Sequence, residues 1–170
     1  MKRMILIAAA LLIGLSASIL AAQATAVVRV TWTVLPFAVI SLEGSGEYGE
    51  SVVVVTEIPE PTAFDLARGY IELPGAVTLS VMSNTHWTVL VQALSPTLGT
   101  SYDGTFTWPV EELAVSVGGE YVPVSLAPQP IAEGKNGQYL LTVDYRVNVP
   151  ATGVPAGDYK AVLLYTVTTD

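Results

Sequence analysis

The sequence predicts an all-β chain: a single antiparallel β-sandwich of the Ig-like or Greek-key kind, behind a cleaved export leader. Apolar and polar residues alternate along most of the 170 residues, the period of strands buried on one face. Gly, Pro, Asn and Asp interrupt these runs at short intervals, and no long stretch repeats with the 3.6-residue period of a helix. Eight to ten short strands so separated indicate a sandwich or a barrel around one core.

The leader comes first. Met1-Lys2-Arg3 is a basic start, an apolar run follows from Met4 to about Ala22, and Ala22-Gln23-Ala24 is an A-x-A-like exit. That order predicts a signal peptide over residues 1–24, cut after Ala24, with residues 25–170 as one domain. An uncleaved membrane anchor is the competing reading, because roughly 19 apolar residues approach the ~20 that span a bilayer. The small residues at the exit and Arg29 within an alternating pattern favour cleavage.

Residues 28–34 are the first alternating segment. Val28, Val30, Trp32 and Val34 share one face; Arg29, Thr31 and Thr33 share the other, and Pro36 follows. Strands are predicted over 37–42 and 51–58, separated by the flexible turn Gly44-Ser45-Gly46-Glu47-Tyr48-Gly49. Val52-Val53-Val54-Val55 is apolar on both faces, as in a central strand covered twice or one that meets another subunit. Pro59-Glu60-Pro61 breaks this strand. Residues 62–68 then offer the one helical turn, with Thr62 to cap it and Gly69 to end it, or an irregular loop.

Strands resume at 76–82 and 86–93, the second with Trp87, Val89, Val91 and Ala93 inward. A long polar loop fills 95–104, and further strands are predicted at 105–108, 113–117 and 121–126, followed by the connector Ala127-Pro128-Gln129-Pro130. In the next strand Tyr139, Leu141, Val143, Tyr145 and Val147 alternate against Thr142, Asp144 and Arg146. The last has Tyr159, Ala161, Leu163, Tyr165 and Val167 on one face.

Charge restricts the partners. Loss of Lys2 and Arg3 leaves five cations (Arg29, Arg68, Lys135, Arg146 and Lys160), scattered singly against 15 acidic residues, a net of about −10. Nucleic acid is therefore not an expected partner, since phosphate recognition needs a basic surface. Charged residues make up 13% of the chain, against ~25% in ordinary globular domains. Exposed faces must then be neutral and polar, or buried against a partner. With no cysteine, disulfides, thiol catalysis and cysteine-based zinc sites are excluded.

The same inventory argues against an enzyme, and no catalytic, cofactor or metal residue is expected. His86 is the only histidine, and no G-x-S-x-G elbow supplies a nucleophile for it. Glu111 and Glu112 are adjacent, so on a strand they point to opposite faces and cannot flank one bond. Glu43, Glu47 and Glu50 surround a Gly-rich turn without the spacing of a calcium loop. Trp32 and Trp87 sit in apolar registers and are expected in the core. Trp108, with Tyr102 on the preceding loop, is the one aromatic pair retained as a ligand loop for a glycan.

The C-terminal stretch Val154-Pro155-Ala156-Gly157-Asp158-Tyr159-Lys160-Ala161, followed by Leu164-Tyr165-Thr166-Val167-Thr168, resembles the closing hairpin of secreted surface sandwiches. Spore-coat-U-like and fimbrial (pilin-like) subunits share that hairpin, as do WxL-like cell-wall domains; Ser83-Asn84-Thr85-His86-Trp87-Thr88-Val89 is similar to their S-N-x-x-W hairpin. The resemblance implies an extracellular structural role and a corner in which Gly157 permits the turn and the Tyr159 hydroxyl bonds to backbone.

Together these observations predict a secreted or cell-surface protein with no stable membrane span once the leader is removed. It would be a subunit of a pilus- or fimbria-like filament or of a surface layer, with copies of itself as partners. Residues 25–34 would act as a donor strand, bringing Val28, Val30, Trp32 and Val34 to a neighbour's open sheet edge or closing their own sheet. The alternative is a monomeric secreted module binding a surface glycan or another ligand through Tyr102 and Trp108.

Overall fold

The computed structural model describes Arg29 and residues 31–169. The expected leader, residues 1–24, lies outside the described residues, and so do Val28 and Val30 of the expected donor strand. The chain divides into two compact units, Met1–Val34 and Leu35–Asp170. In the first, residues 31–34 belong to no strand. Trp32 and Val34 are 85% and 78% exposed, so the expectation that Trp32 is a core residue is corrected. Alternation makes a segment fit to be half-buried; burial itself requires a neighbouring strand.

The second unit is an all-β antiparallel sandwich. One sheet joins β1 (Ala38–Leu42), β3 (Tyr70–Ser83), β10 (Gly137–Asn148), β7 (Leu113–Ser116) and β8 (Val122–Pro123), in that order. The other joins β2 (Ser51–Glu57), β11 (Lys160–Thr169), β4 (Trp87–Ala93) and β9 (Gln129–Gly134). A ribbon of β5 (Thr97–Thr100) and β6 (Thr107–Pro109) stands beside them. Strands close in sequence mostly fall in opposite sheets, so the chain repeatedly crosses the sandwich and the core is made of residues distant in sequence.

The period-two faces meet in that core. Leu79, Val81, Val143, Tyr145 and Val147 of one sheet and Trp87, Val89, Val91, Leu163 and Tyr165 of the other are buried. The Tyr145 and Tyr165 hydroxyls meet at 2.8 Å, one from each sheet, so each satisfies the other without water. Burial pushes the ionisation of both phenols above its usual range. The Trp87 indole N–H donates to the Lys135 carbonyl at 2.7 Å, and its ring meets Tyr139 edge-on at 5.2 Å.

Several elements differ from the sequence reading. β3 begins at Tyr70 rather than near residue 76, because Leu73-Pro74-Gly75 is carried inside the strand. The register against β10 shifts there, and the Asp144 carboxylate takes the Gly75 N–H at 2.7 Å in place of a ladder carbonyl. β5 lies inside the predicted polar loop. β9 begins inside the predicted connector and runs on to Gly134, an edge position that tolerates Pro130. Glu111 and Glu112 occupy a 3-10 turn, Val110–Glu112, and not a strand. The predicted helical turn is α1, Ala63–Arg68. The Thr62 hydroxyl accepts the Asp65 N–H at 3.2 Å, the Asp65 carboxylate accepts the Thr62 N–H at 2.9 Å, and Gly69 ends the helix at φ 83°.

Candidate functional site

Each sheet edge presents backbone groups that must be paired, covered or discouraged from pairing. β1 is covered: Ile40 exchanges hydrogen bonds of 2.7 and 3.0 Å with Gly49 on its side away from β3. β8 is two residues long and ends in Pro123. β9 carries Pro130, and its pairing with β4 is irregular between Val89 and Leu90. These are the devices that blunt an edge.

β2 has none of them. Among the described residues it pairs only with β11, and its sequence Ser-Val-Val-Val-Val-Thr-Glu holds no proline, lysine or bulge. The Ile58 N–H bonds to the Tyr159 carbonyl and the Val167 N–H to the Glu50 carbonyl. By alternation the even-numbered residues of β2 therefore face β11. The N–H and C=O groups of Ser51, Val53, Val55 and Glu57 point outward and meet no other strand among the described residues.

This edge is continuous with a bare apolar surface. Val54 is buried, but Val53 and Val55 are 50% and 61% exposed on the outer face of the four-stranded sheet. Val53 lies beside Leu164, Val55 beside Val162, and Leu164 beside Gln92, while Leu90 and Leu94 extend the surface along β4. The valine run is thus an edge strand open on one face, not a central strand covered on both.

The outer face of the other sheet is partly covered by its own side chains, although Leu140 on it is 61% exposed. The Arg68 guanidinium stacks over Phe64 at 5.1 Å and Tyr70 at 4.5 Å. Arg146 stacks over Tyr70 at 4.6 Å and Tyr121 at 3.9 Å. Glu72 binds both arginines, at 3.2 and 2.7 Å. Two of the five cations read as scattered, Arg68 and Arg146, are here brought together by α1, β3 and β10. Nothing in their spacing along the chain announces it, since Arg68 and Arg146 meet only through the β3–β10 pairing.

Of the two corner residues, Tyr159 makes a hydroxyl bond to backbone, while Gly157 is needed for a different reason than the turn. The Tyr159 hydroxyl donates to the Pro155 carbonyl at 2.9 Å, which folds the ring back over Gly157. A Cβ on Gly157 would stand 2.9 Å from that ring and 3.0 Å from the Ser101 Cα, so glycine is required by close approach and not by its dihedral angles. The ligand pair is corrected. Trp108 is 1% exposed, packed edge-on against Tyr159 at 5.2 Å, while Tyr102 is exposed and donates its hydroxyl to Asp158 at 2.8 Å. The two rings form no coplanar platform. β6 carries Trp108 inward because its neighbours Thr107 and Pro109 take the solvent side. A cleft of about 330 Å³ lies beside Trp108, lined mainly by Ile58, Pro59, Pro61, Leu66 and Pro155.

Among the described residues no three Asp, Glu, His or Cys side chains are placed to hold a metal ion, and no helix is long and apolar enough to cross a membrane. Comparison with known proteins matches no family model and no curated protein. The candidate site is therefore defined by geometry alone: an unprotected edge on β2, joined to an apolar sheet face.

Proposed function

We propose that this chain is a structural subunit of an extracellular filament or surface layer, joined to its neighbours by β-strand addition through the N-terminal segment. The observation that carries this reading is the β2 edge. It is a seven-residue strand with outward backbone groups and two bare valines, in a molecule whose other main-sheet edges are covered, short or interrupted by proline. Such an edge promotes association unless it has an intended occupant. The low charge content, the export-type leader and the resemblance of the closing hairpin to that of secreted surface subunits support the same role.

The glycan-binding alternative loses its aromatic pair, because only Tyr102 is available at the surface. Light scattering and negative-stain microscopy of the mature chain test the proposal. Polymers or defined oligomers are expected, and removal of residues 25–34 should reduce them to monomers that take up the missing peptide. A stable monomer, unaffected by that deletion, would overturn it.

A further inference from the structure

The strand-addition reading leaves the acceptor and the register open. We propose that residues 29–34 of one copy add antiparallel to β2 of a second copy, with Arg29 opposite Glu57 and Val34 opposite Val52. The inference rests on that reading and specifies its partner surface.

Three properties of the two segments set this register. The first is the phase of their faces. Along β2, Val52 and Val54 point into the sandwich while Ser51, Val53, Val55 and Glu57 point out. In the proposed pairing Trp32 falls opposite Val54 and Val34 opposite Val52, so the apolar face of the donor continues the inner face of the acceptor sheet. Thr31 and Thr33 fall opposite Val55 and Val53 and flank valines that are bare in the single molecule. A shift by one residue would reverse every side chain and place Trp32 and Val34 on the solvent face.

The second is charge. Arg29 is the only ionisable group in residues 29–34, and Glu57 is the only one in β2. The antiparallel arrangement sets them directly opposite, where unlike charges on a sheet attract. The parallel arrangement separates them by the length of the strand.

The third is the end of the donor. Asn84, at the end of β3, donates its side-chain N–H to the Leu35 carbonyl at 2.9 Å and accepts the Phe37 N–H at 2.8 Å. Leu35 is thereby held to its own sandwich, and Pro36 has no N–H to offer a ladder. Addition can run back from Val34 and no further forward. The outward groups of β2 then pair with Arg29, Thr31 and Thr33, the residues whose side chains share the outer face with Val53, Val55 and Glu57.

A second copy could instead lay its own β2 along this edge. Val53 would then face Val55 of its neighbour, an arrangement that uses neither Arg29 nor Trp32. The absence of native cysteine makes these alternatives separable by disulfide trapping. Directly opposed residues in an antiparallel pair lie ~5.5 Å apart at Cα when hydrogen-bonded, within the range a disulfide spans.

The experiment mixes two singly substituted mature proteins, one Thr33→Cys and one Val53→Cys, under mild oxidation. The mixed dimer should dominate and exceed by at least tenfold the product of Thr33→Cys with Val55→Cys. Arg29→Glu in the donor should reduce it, and Glu57→Arg in the acceptor should restore it. Trapping of Val53→Cys with Val55→Cys instead would overturn the proposal in favour of β2-to-β2 pairing. So would a Thr33→Cys/Val53→Cys double variant that closes only within one chain. Oligomers that form in solution with no Thr33–Val53 product would overturn the register while leaving assembly intact. Wild-type protein that stays monomeric by light scattering would remove the underlying reading as well.

Discussion

Replacing Tyr145 by Phe removes one hydroxyl from the centre of the sandwich and tests how the two sheets are held in register. Both tyrosines are fully buried, and their hydroxyls are mutual partners at 2.8 Å, joining β10 to β11. Each hydroxyl has the other as its partner. Tyr145→Phe or Tyr165→Phe therefore strands one buried hydroxyl, and each should cost about 1–3 kcal/mol. The double variant loses both polar groups together and leaves neither stranded, so its loss should be smaller than the sum of the two. The resulting coupling is about 1–2 kcal/mol. Equilibrium urea unfolding of the four proteins gives the cycle, with m-values unchanged and Tm falling by about 4 °C per kcal/mol. Additive losses would refute the reasoning.

The same pair makes the fold sensitive to alkali. Burial raises both phenols above their ordinary value, so their contribution is complete below about pH 10 and is lost as pH rises beyond the point where the unfolded chain ionises. Tyrosinate absorbance should show two of the eight tyrosines ionising only when near-UV dichroism collapses; full titration with the fold intact would contradict this. Gly157→Ala forces the Tyr159 ring off the Pro155 carbonyl and should cost about 1–3 kcal/mol in urea unfolding, against about 0.5–1.5 for Tyr159→Phe. Val55→Pro removes an N–H that meets no other strand among the described residues, so it should spare the monomer and abolish oligomers in light scattering. Val54→Pro breaks a bond to β11 and should cost at least about 2 kcal/mol. The Asp65 carboxyl is held below its usual range chiefly by its hydrogen bonds with Thr62, so the α1 cap is complete above that range and weakens as pH falls through it. Amide exchange at Leu66 and Gly69 should then quicken in acid before the sheets open.

Side-chain periodicity by itself determined that this chain is all-β, because alternation depends only on neighbours in sequence. The faces built on Trp87 to Ala93, Tyr139 to Val147 and Tyr159 to Val167 were legible for that reason. The Thr62 cap and Gly69 stop were legible too, since helix ends are satisfied within a few residues. β9 and the start of β3 were not. Their turn-forming residues, Pro130 and Pro74-Gly75, are accommodated by an edge position and by a bulge, which exist only once the partner strand is in place.

The candidate site divides along the same line. Four consecutive valines announce an apolar strand, but whether it is central or at an edge is a property of the sheet order. Tertiary structure alone decided that β2 has one neighbour among the described residues, that Trp108 turns inward, and that Arg68 and Arg146 share Tyr70. Each depends on pairings between residues tens of positions apart, which local chemistry permits but does not choose.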